Sequence, residues 1–271
     1  MTAPSSAHPR LAGAPVLALH ASSSAGAQWR GLAEALRGRH AVLAPDLLGY
    51  GATPFDPATE LTSDHEIEAL APVLERLSGP VHLVGHSYSG LTALRLAASG
   101  RVALLSLTLY EPIAFWLLRL AGDMALYGEA RALADAYRAA IRRGDREGAA
   151  RPYLDYWNGA GAYARLSERA RSALLATALK TDREWAPAFE DDTPLAALAA
   201  RLPMSVLILA GERTVAPARR ICDLLAAGLP GARLAIVPGA GHMGPITHGP
   251  AVNAPLAAHL VAAEGTLARA A

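Results

Sequence analysis

VHLVGHSYSG, residues 81–90, passes from an apolar run (Val81–Val84) through small residues to a serine and back to small residues. The helical pattern LTALRLAA follows at once. A strand that turns sharply into a helix holds a serine at the turn out at the apex, where its hydroxyl is free to react. Gly85 and Ser89 stand two residues either side of Ser87, where bulky side chains would collide in so tight a turn. The pattern is G-x-S-x-G with one departure: serine occupies the last position, and Gly90 comes one place later. Ser87 is the candidate nucleophile.

Outward from this stretch, strand-like and helical runs alternate. Strands are predicted at Val16–His20, Ala41–Pro45, Val81–Gly85, Leu104–Tyr110, Ser205–Ala210 and Arg233–Val237. Most are continuous apolar runs, as expected of strands buried on both faces of a parallel sheet. Helical patterns fall at Ala27–Arg37, Leu61–Leu77, Leu91–Ala98, Ala218–Ala227 and Asn253–Ala263. Alternation of this kind predicts an α/β chain with a doubly wound, mostly parallel sheet. A Pro/Ser-rich tail, Met1–Pro15, precedes it.

The alternation stops between about Ile113 and Leu202, where helical periodicity continues without a convincing strand. Arg131–Arg143 and Leu166–Leu179 are the clearest helices there, punctuated by Gly144, Gly159–Gly161 and Pro187. The expected organisation is a core of residues 1–112 and 203–271, with a helical cap of residues 113–202 inserted between two core strands. The cap holds most of the large aromatics: Trp116, Tyr127, Tyr137, Tyr153, Tyr156, Trp157, Tyr163, Trp185 and Phe189. Most should hold the cap together and dock it on the core, with a subset lining a pocket over the serine.

Composition narrows the function classes. A hydrophobic share of 52% leaves ample material for a core in 271 residues. The net charge of +1 argues against a nucleic-acid or anionic-membrane role. No apolar run reaches the roughly 18 residues of a membrane span. Leu11–Ala27 is apolar but lacks an early basic cluster, so it is expected to be a core strand and loop rather than a secretory signal. The single cysteine, Cys222, has no internal partner and should be a small buried residue. A cytoplasmic location is the expectation.

A serine hydroxyl needs a base to take its proton. His242, in VPGAGHMG (237–244), is the best candidate, because a Gly-rich loop after a strand delivers its imidazole to the carboxyl edge of the sheet. His86 should fill space behind the elbow, and His65, His248 and His259 should be surface positions. No spacing resembles a metal site, and no cofactor is expected. Charge developing on a carbonyl oxygen needs backbone N–H donors. One should come from Tyr88, directly after the nucleophile, and the other from the loop His20-Ala-Ser-Ser-Ser, with Ser22 the chosen donor.

HASSSAGAQW (20–29), PDLLGYG (45–51), GHSYSG (85–90) and GAGHMG (239–244) occur in this order along nearly the whole chain. Together they make the chain resemble a capped member of the α/β-hydrolase fold family, of the serine esterase kind. The motifs are specific for the fold and far less so for a substrate. That family more often shows His-Gly where this chain has His20-Ala21. It also usually carries an aspartate in a G-x-x-D turn after the strand that follows the cap. Here the turn reads Gly211-Glu-Arg-Thr214, so threonine stands in the aspartate's place, able at most to orient the histidine ring by a hydrogen bond. Some members place the acid at the end of the strand before the cap, and Glu111 stands there, just before Pro112. Glu111 is therefore the chosen acid. Glu212, Asp46 or no acid at all are the alternatives, with Asp46 better suited to anchoring its loop.

The expectation is a serine hydrolase cleaving small to medium, largely apolar carboxylic esters through an acyl-enzyme, with a Ser87–His242–Glu111 triad. Cleavage of carbon–carbon bonds, lactones or amides, or a lyase reaction, would use the same residues. A non-catalytic ligand-binding homologue is the rival of another class, with Thr214 as its mark. The expected partner is a small-molecule substrate, without nucleic acid or membrane. A homodimer is compatible with the sequence.

Overall fold

The computed structural model describes residues 13–270, so residues 1–12 of the amino-terminal tail and residue 271 lie outside the described residues. Six strands form one parallel sheet: β1 (Val16–Leu19), β2 (Val42–Leu43), β3 (Val81–His86), β4 (Leu104–Tyr110), β5 (Ser205–Gly211) and β6 (Arg233–Val237). Their spatial order is β2-β1-β3-β4-β5-β6, so the chain reverses direction of travel across the sheet at β1 and β3. All six predicted strands are present. The shortest, β2, pairs only through Val42 and Leu43. It is an edge strand that runs into Pro45, whose nitrogen cannot extend a ladder.

The central strands are largely buried on both faces, and their two-residue period splits them between two cores. In β1, Leu17 and Leu19 join the larger cluster beside Leu91 and Leu94. Val16 and Ala18 point the other way, against Trp29, Leu32, Leu256 and Leu260. Burying each such leucine fully stabilises the fold by about 1.5–3 kcal/mol.

The helices before β4 are α1 (Arg30–Ala35), α2 (Ser63–Ala69), α3 (Ala71–Leu74) and α4 (Tyr88–Ser99). Between β4 and β5 lie α5 (Trp116–Leu120), α6 (Met124–Arg142), α7 (Arg146–Asn158), α8 (Glu168–Ala176), α9 (Ala178–Phe189) and α10 (Leu195–Ala199). The remainder are α11 (Ala216–Gly228), α12 (Gly244–Thr247) and α13 (Gly249–Ala270). None among the described residues is long and apolar enough to cross a membrane.

Two predicted helices are broken. Leu61–Leu77 divides at Leu70, where Pro72 opens the second segment. Leu166–Leu179 divides at Thr177, whose hydroxyl lies 3.2 Å from Ser23 Oγ and 3.1 Å from Leu174 O. Such local side-chain bonds compete with helix continuation.

Register sets the position of the loops that matter. Leu19 pairs with Gly85, His86 with Tyr110, and Tyr110 with Leu209. The segments after β1, β3, β4, β5 and β6 therefore emerge together at one carboxyl edge, the edge where open α/β sheets bind ligands.

Candidate active site

Three non-glycine residues among those described have left-handed backbone: Ser23 (φ 55°), Ser87 (φ 59°) and Glu111 (φ 43°). Each such residue costs about 1–3 kcal/mol and persists only where its surroundings hold it. All three lie at the carboxyl edge of the sheet. Ser87 is held by its N–H on Tyr110 O (2.9 Å), while its own carbonyl accepts from Gly90 (2.9 Å) and Ile113 (3.3 Å). The small residues around it are required sterically. A Cβ on Gly85 would stand 2.5 Å from Ser89 O, and one on Gly90 would stand 2.9 Å from the Pro112 Cβ. Ser89, the irregular residue of the motif, ties the elbow to the end of β1. Its hydroxyl donates to Leu19 O at 2.7 Å and accepts from the His86 N–H at 3.0 Å.

His242 Nε2 lies 2.8 Å from Ser87 Oγ, and its Nδ1 lies 2.6 Å from Glu111 Oε2. An ionised carboxylate can only accept, so Nδ1–H donates to it and leaves the Nε2 lone pair for the serine proton. Glu111 is fully buried. An unpaired carboxylate there would be costly, but three donors meet it. Gly211 N–H donates to Oε1 at 2.7 Å, and Thr214 Oγ1 donates to Oε2 at 2.6 Å beside His242.

Thr214 does not take up the one role its sequence position left open to it, a hydrogen bond to the histidine ring. Its hydroxyl donates instead to Glu111 Oε2, the oxygen that His242 Nδ1 also meets. Glu212 is turned away and accepts from Gly239 N at 2.7 Å. Asp46 anchors its loop, as expected, accepting from Gly26 N at 2.7 Å while its carbonyl accepts from Thr53 at 3.0 Å.

The histidine loop is fastened from beneath. Tyr110 donates to Gly241 O at 2.7 Å, and His86 Nε2–H donates to His242 O at 2.8 Å. His86 Nδ1 then accepts from Gln28 Nε2 at 3.0 Å, and Gln28 Oε1 accepts from Ala21 N at 3.2 Å. His86 therefore does more than fill space: it connects the histidine loop to the loop after β1. Burial, and next the nearby His242, push its imidazole well below the usual range, which keeps it neutral for this role. His259 departs further from expectation. It is buried on α13, not at the surface, because that face of the helix packs on the sheet. His65 and His248 are half-buried. Cys222 is buried and unpaired.

Ser22 and Tyr88, the chosen backbone donors, flank Ser87: Ser22 lines the same cavity, and Tyr88 opens α4. That cavity is about 180 Å³ and is bounded by Ser87, His242, Met243, Tyr153, Trp157 and Leu174, among others. Of the cap aromatics, Tyr153 and Trp157 reach it, and Trp157 stacks on the His242 ring with centroids 4.0 Å apart. Phe115, Trp185, Phe189 and Tyr127 stack among themselves. Nothing in sequence spacing singles out Trp157.

Also missed was a buried charge cluster near the loop after β1. Lys180 Nζ lies 2.8 Å from Glu66 and 2.6 Å from Glu184, and Tyr50 donates to Glu184 at 2.7 Å. Its one sequence sign is the four-residue spacing of Lys180 and Glu184 in α9. Burial raises the Glu66 carboxyl above its ordinary range. At the opposite edge of the sheet, His40, His82 and Glu264 bring possible ligand atoms within 4.8 Å of one another, which spacing along the chain did not suggest. One ring nitrogen of each histidine is engaged, His40 Nδ1 with Ala14 O and His82 Nδ1 with Ser106, and Glu264 accepts from Ala14 N and Arg39, while His40 Nε2 and His82 Nε2 are buried without a hydrogen-bond partner.

The family model for the "Alpha/beta hydrolase family" matches residues 16–254. The chain belongs to this family. Within it, the chain is 39% identical over 100 residues to Lipase LipV of Mycobacterium tuberculosis (strain ATCC 25618 / H37Rv), an alignment spanning 36% of this chain and 37% of that relative. A hydrolase from Pseudomonas aeruginosa PA01 superposes with a TM-score of 0.72 at 26% identity, covering 93% of this chain and 92% of that one. The esterase EaEST from Exiguobacterium antarcticum shares the fold, with a TM-score of 0.72 at 17% identity and 92% of each chain covered.

Proposed function

We propose that this α/β hydrolase is a serine hydrolase of small to medium, largely apolar carboxylic esters. The observation that carries the proposal is the unbroken relay Ser87 Oγ–His242 Nε2 (2.8 Å) and His242 Nδ1–Glu111 Oε2 (2.6 Å) at the wall of an apolar cavity. Ser87 attacks the ester carbonyl while its proton passes to His242. Glu111 holds the tautomer and stabilises the imidazolium. The oxyanion takes the backbone N–H groups of Ser22 and Tyr88, the latter at the positive end of α4. His242 then protonates the leaving alcohol. Water yields a proton to Nε2, attacks the acyl carbon and frees Ser87 with its hydrogen restored. Trp157, stacked on the imidazole, keeps bulk water from that face.

The lipase and esterase names among its relatives are consistent with this chemistry. The non-catalytic alternative drew on Thr214, but that threonine donates to Glu111 and so serves the triad. A fluorophosphonate probe tests the proposal directly. Wild type should be labelled and Ser87→Ala should not. Equal labelling of the two, or none, would refute it.

A further inference from the structure

Beside the cavity, and sharing Ser22, Ser87, Tyr153 and Trp157 with it, lies a recess of about 10 Å³, bounded also by Thr181, Glu184 and Trp185. That volume suits a group the size of one water molecule. Two of the residues that bound it carry unmet hydrogen-bonding capacity. The Glu184 side chain is only 3% exposed. Its Oε1 accepts from Tyr50 and Lys180, but Oε2 has no partner. Trp185 Nε1 is likewise buried without an acceptor. Such orphaned buried atoms are few in native proteins and call for an explanation. The single ammonium of Lys180 is shared between Glu66 and Glu184, and on Glu184 it meets Oε1, not Oε2.

We infer that Glu184 and Trp185 form a hydroxyl-binding subsite for the acyl half of the substrate. A hydroxyl donates to Glu184 Oε2 and accepts from Trp185 Nε1 at once, whereas an ammonium has no lone pair for the indole. The side of the scissile bond follows from His242. It must protonate the leaving alcohol, so the alcohol occupies the cavity that His242 lines. The recess is bounded by Ser87 and Ser22 but not by His242, and so takes the acyl side. The substrate class is a short ester with a hydroxyl on its acyl chain near the carbonyl. This inference rests on the serine-hydrolase reading.

The test compares para-nitrophenyl esters in isosteric pairs, β-hydroxybutyrate against isovalerate and α-hydroxybutyrate against α-methylbutyrate. Each rate is normalised to hydrolysis by hydroxide. A hydrogen bond to a charged group predicts that kcat/KM favours the hydroxy ester about 10- to 100-fold in at least one pair. The preference should fall towards one in Glu184→Gln and in Trp185→Phe. A ratio of two substrates on one preparation does not depend on how much of it is folded. If Glu184→Gln is insoluble, wild type and Trp185→Phe still decide. No preference in either pair, or a preference unchanged in both variants, overturns the subsite while esterase turnover persists. Absence of all turnover together with absence of Ser87 labelling overturns the hydrolase reading instead, and the subsite with it.

Discussion

Replacing Glu111 by glutamine removes one charge and keeps the shape. The carboxylate meets three donors: His242 Nδ1–H and Thr214 Oγ1–H on Oε2, and Gly211 N–H on Oε1. An amide cannot accept from all of them, because one of its two ends is itself a donor. If its NH2 faces His242, the imidazole must accept at Nδ1 and carry its proton on Nε2, which then cannot take the serine proton. If its NH2 faces Gly211 instead, two donors oppose each other in a buried site. The lost charge adds to this. A carboxylate and an imidazolium with charge centres about 4 Å apart attract by about 4 kcal/mol at an effective dielectric constant of about 20, equivalent to about three decades in rate. Together with the tautomer, the acylation rate of Glu111→Gln should fall by about 10³- to 10⁴-fold. Stopped-flow release of para-nitrophenol in the first turnover measures it, with circular dichroism confirming the fold. A rate within tenfold of wild type in the folded variant would refute Glu111 as the acid.

Glu111→Gln combined with Thr214→Asp should recover at least tenfold of the lost rate, since Thr214 Oγ1 already shares Oε2 with His242; no recovery would show that position 214 cannot serve the ring. Ser89→Ala should lower stability by about 1–3 kcal/mol in urea denaturation, because the buried His86 N–H and Leu19 O both lose their bond; an unchanged midpoint refutes that tie. Stability should also depend on pH. Burial pulls His82 down to about 4 and lowers His20, His86 and His259, whereas unfolded histidines titrate near about 6.5. The unfolded chain then holds more protons between these values, so Tm should fall as pH drops from about 6.5 to about 4. Glu66, raised by burial, acts in the opposite sense as pH climbs through its folded value, but the histidines outnumber it. A flat or rising Tm on acidification in calorimetry would contradict this.

Ser87 and His242 were identifiable from sequence because the constraint on each is local. The elbow needs a strand, small neighbours and a helix, all within about ten residues, and the Gly-rich loop announces His242 in the same way. Glu111 was identifiable more narrowly, as the carboxylate that ends an apolar strand at the reactive edge. What Thr214 does was not. Whether it faces the ring or the carboxylate depends on the meeting of two strand ends about a hundred residues apart in the chain. His259 was misplaced for a related reason: a histidine within a helix reads as surface until the sheet its face covers is known.

The sequence alone determined the alternation of strands and helices, the turn that holds Ser87, the loop that carries His242 and the strand that ends at Glu111, since backbone preference and two-sided burial are written into neighbouring residues. Tertiary structure alone decided which side chains converge. Trp157 over His242, the His86–Gln28 link between loops, and the recess that Glu184 and Ser87 both bound all join elements distant in the chain. Their contacts follow from sheet register and helix docking, which no local pattern encodes.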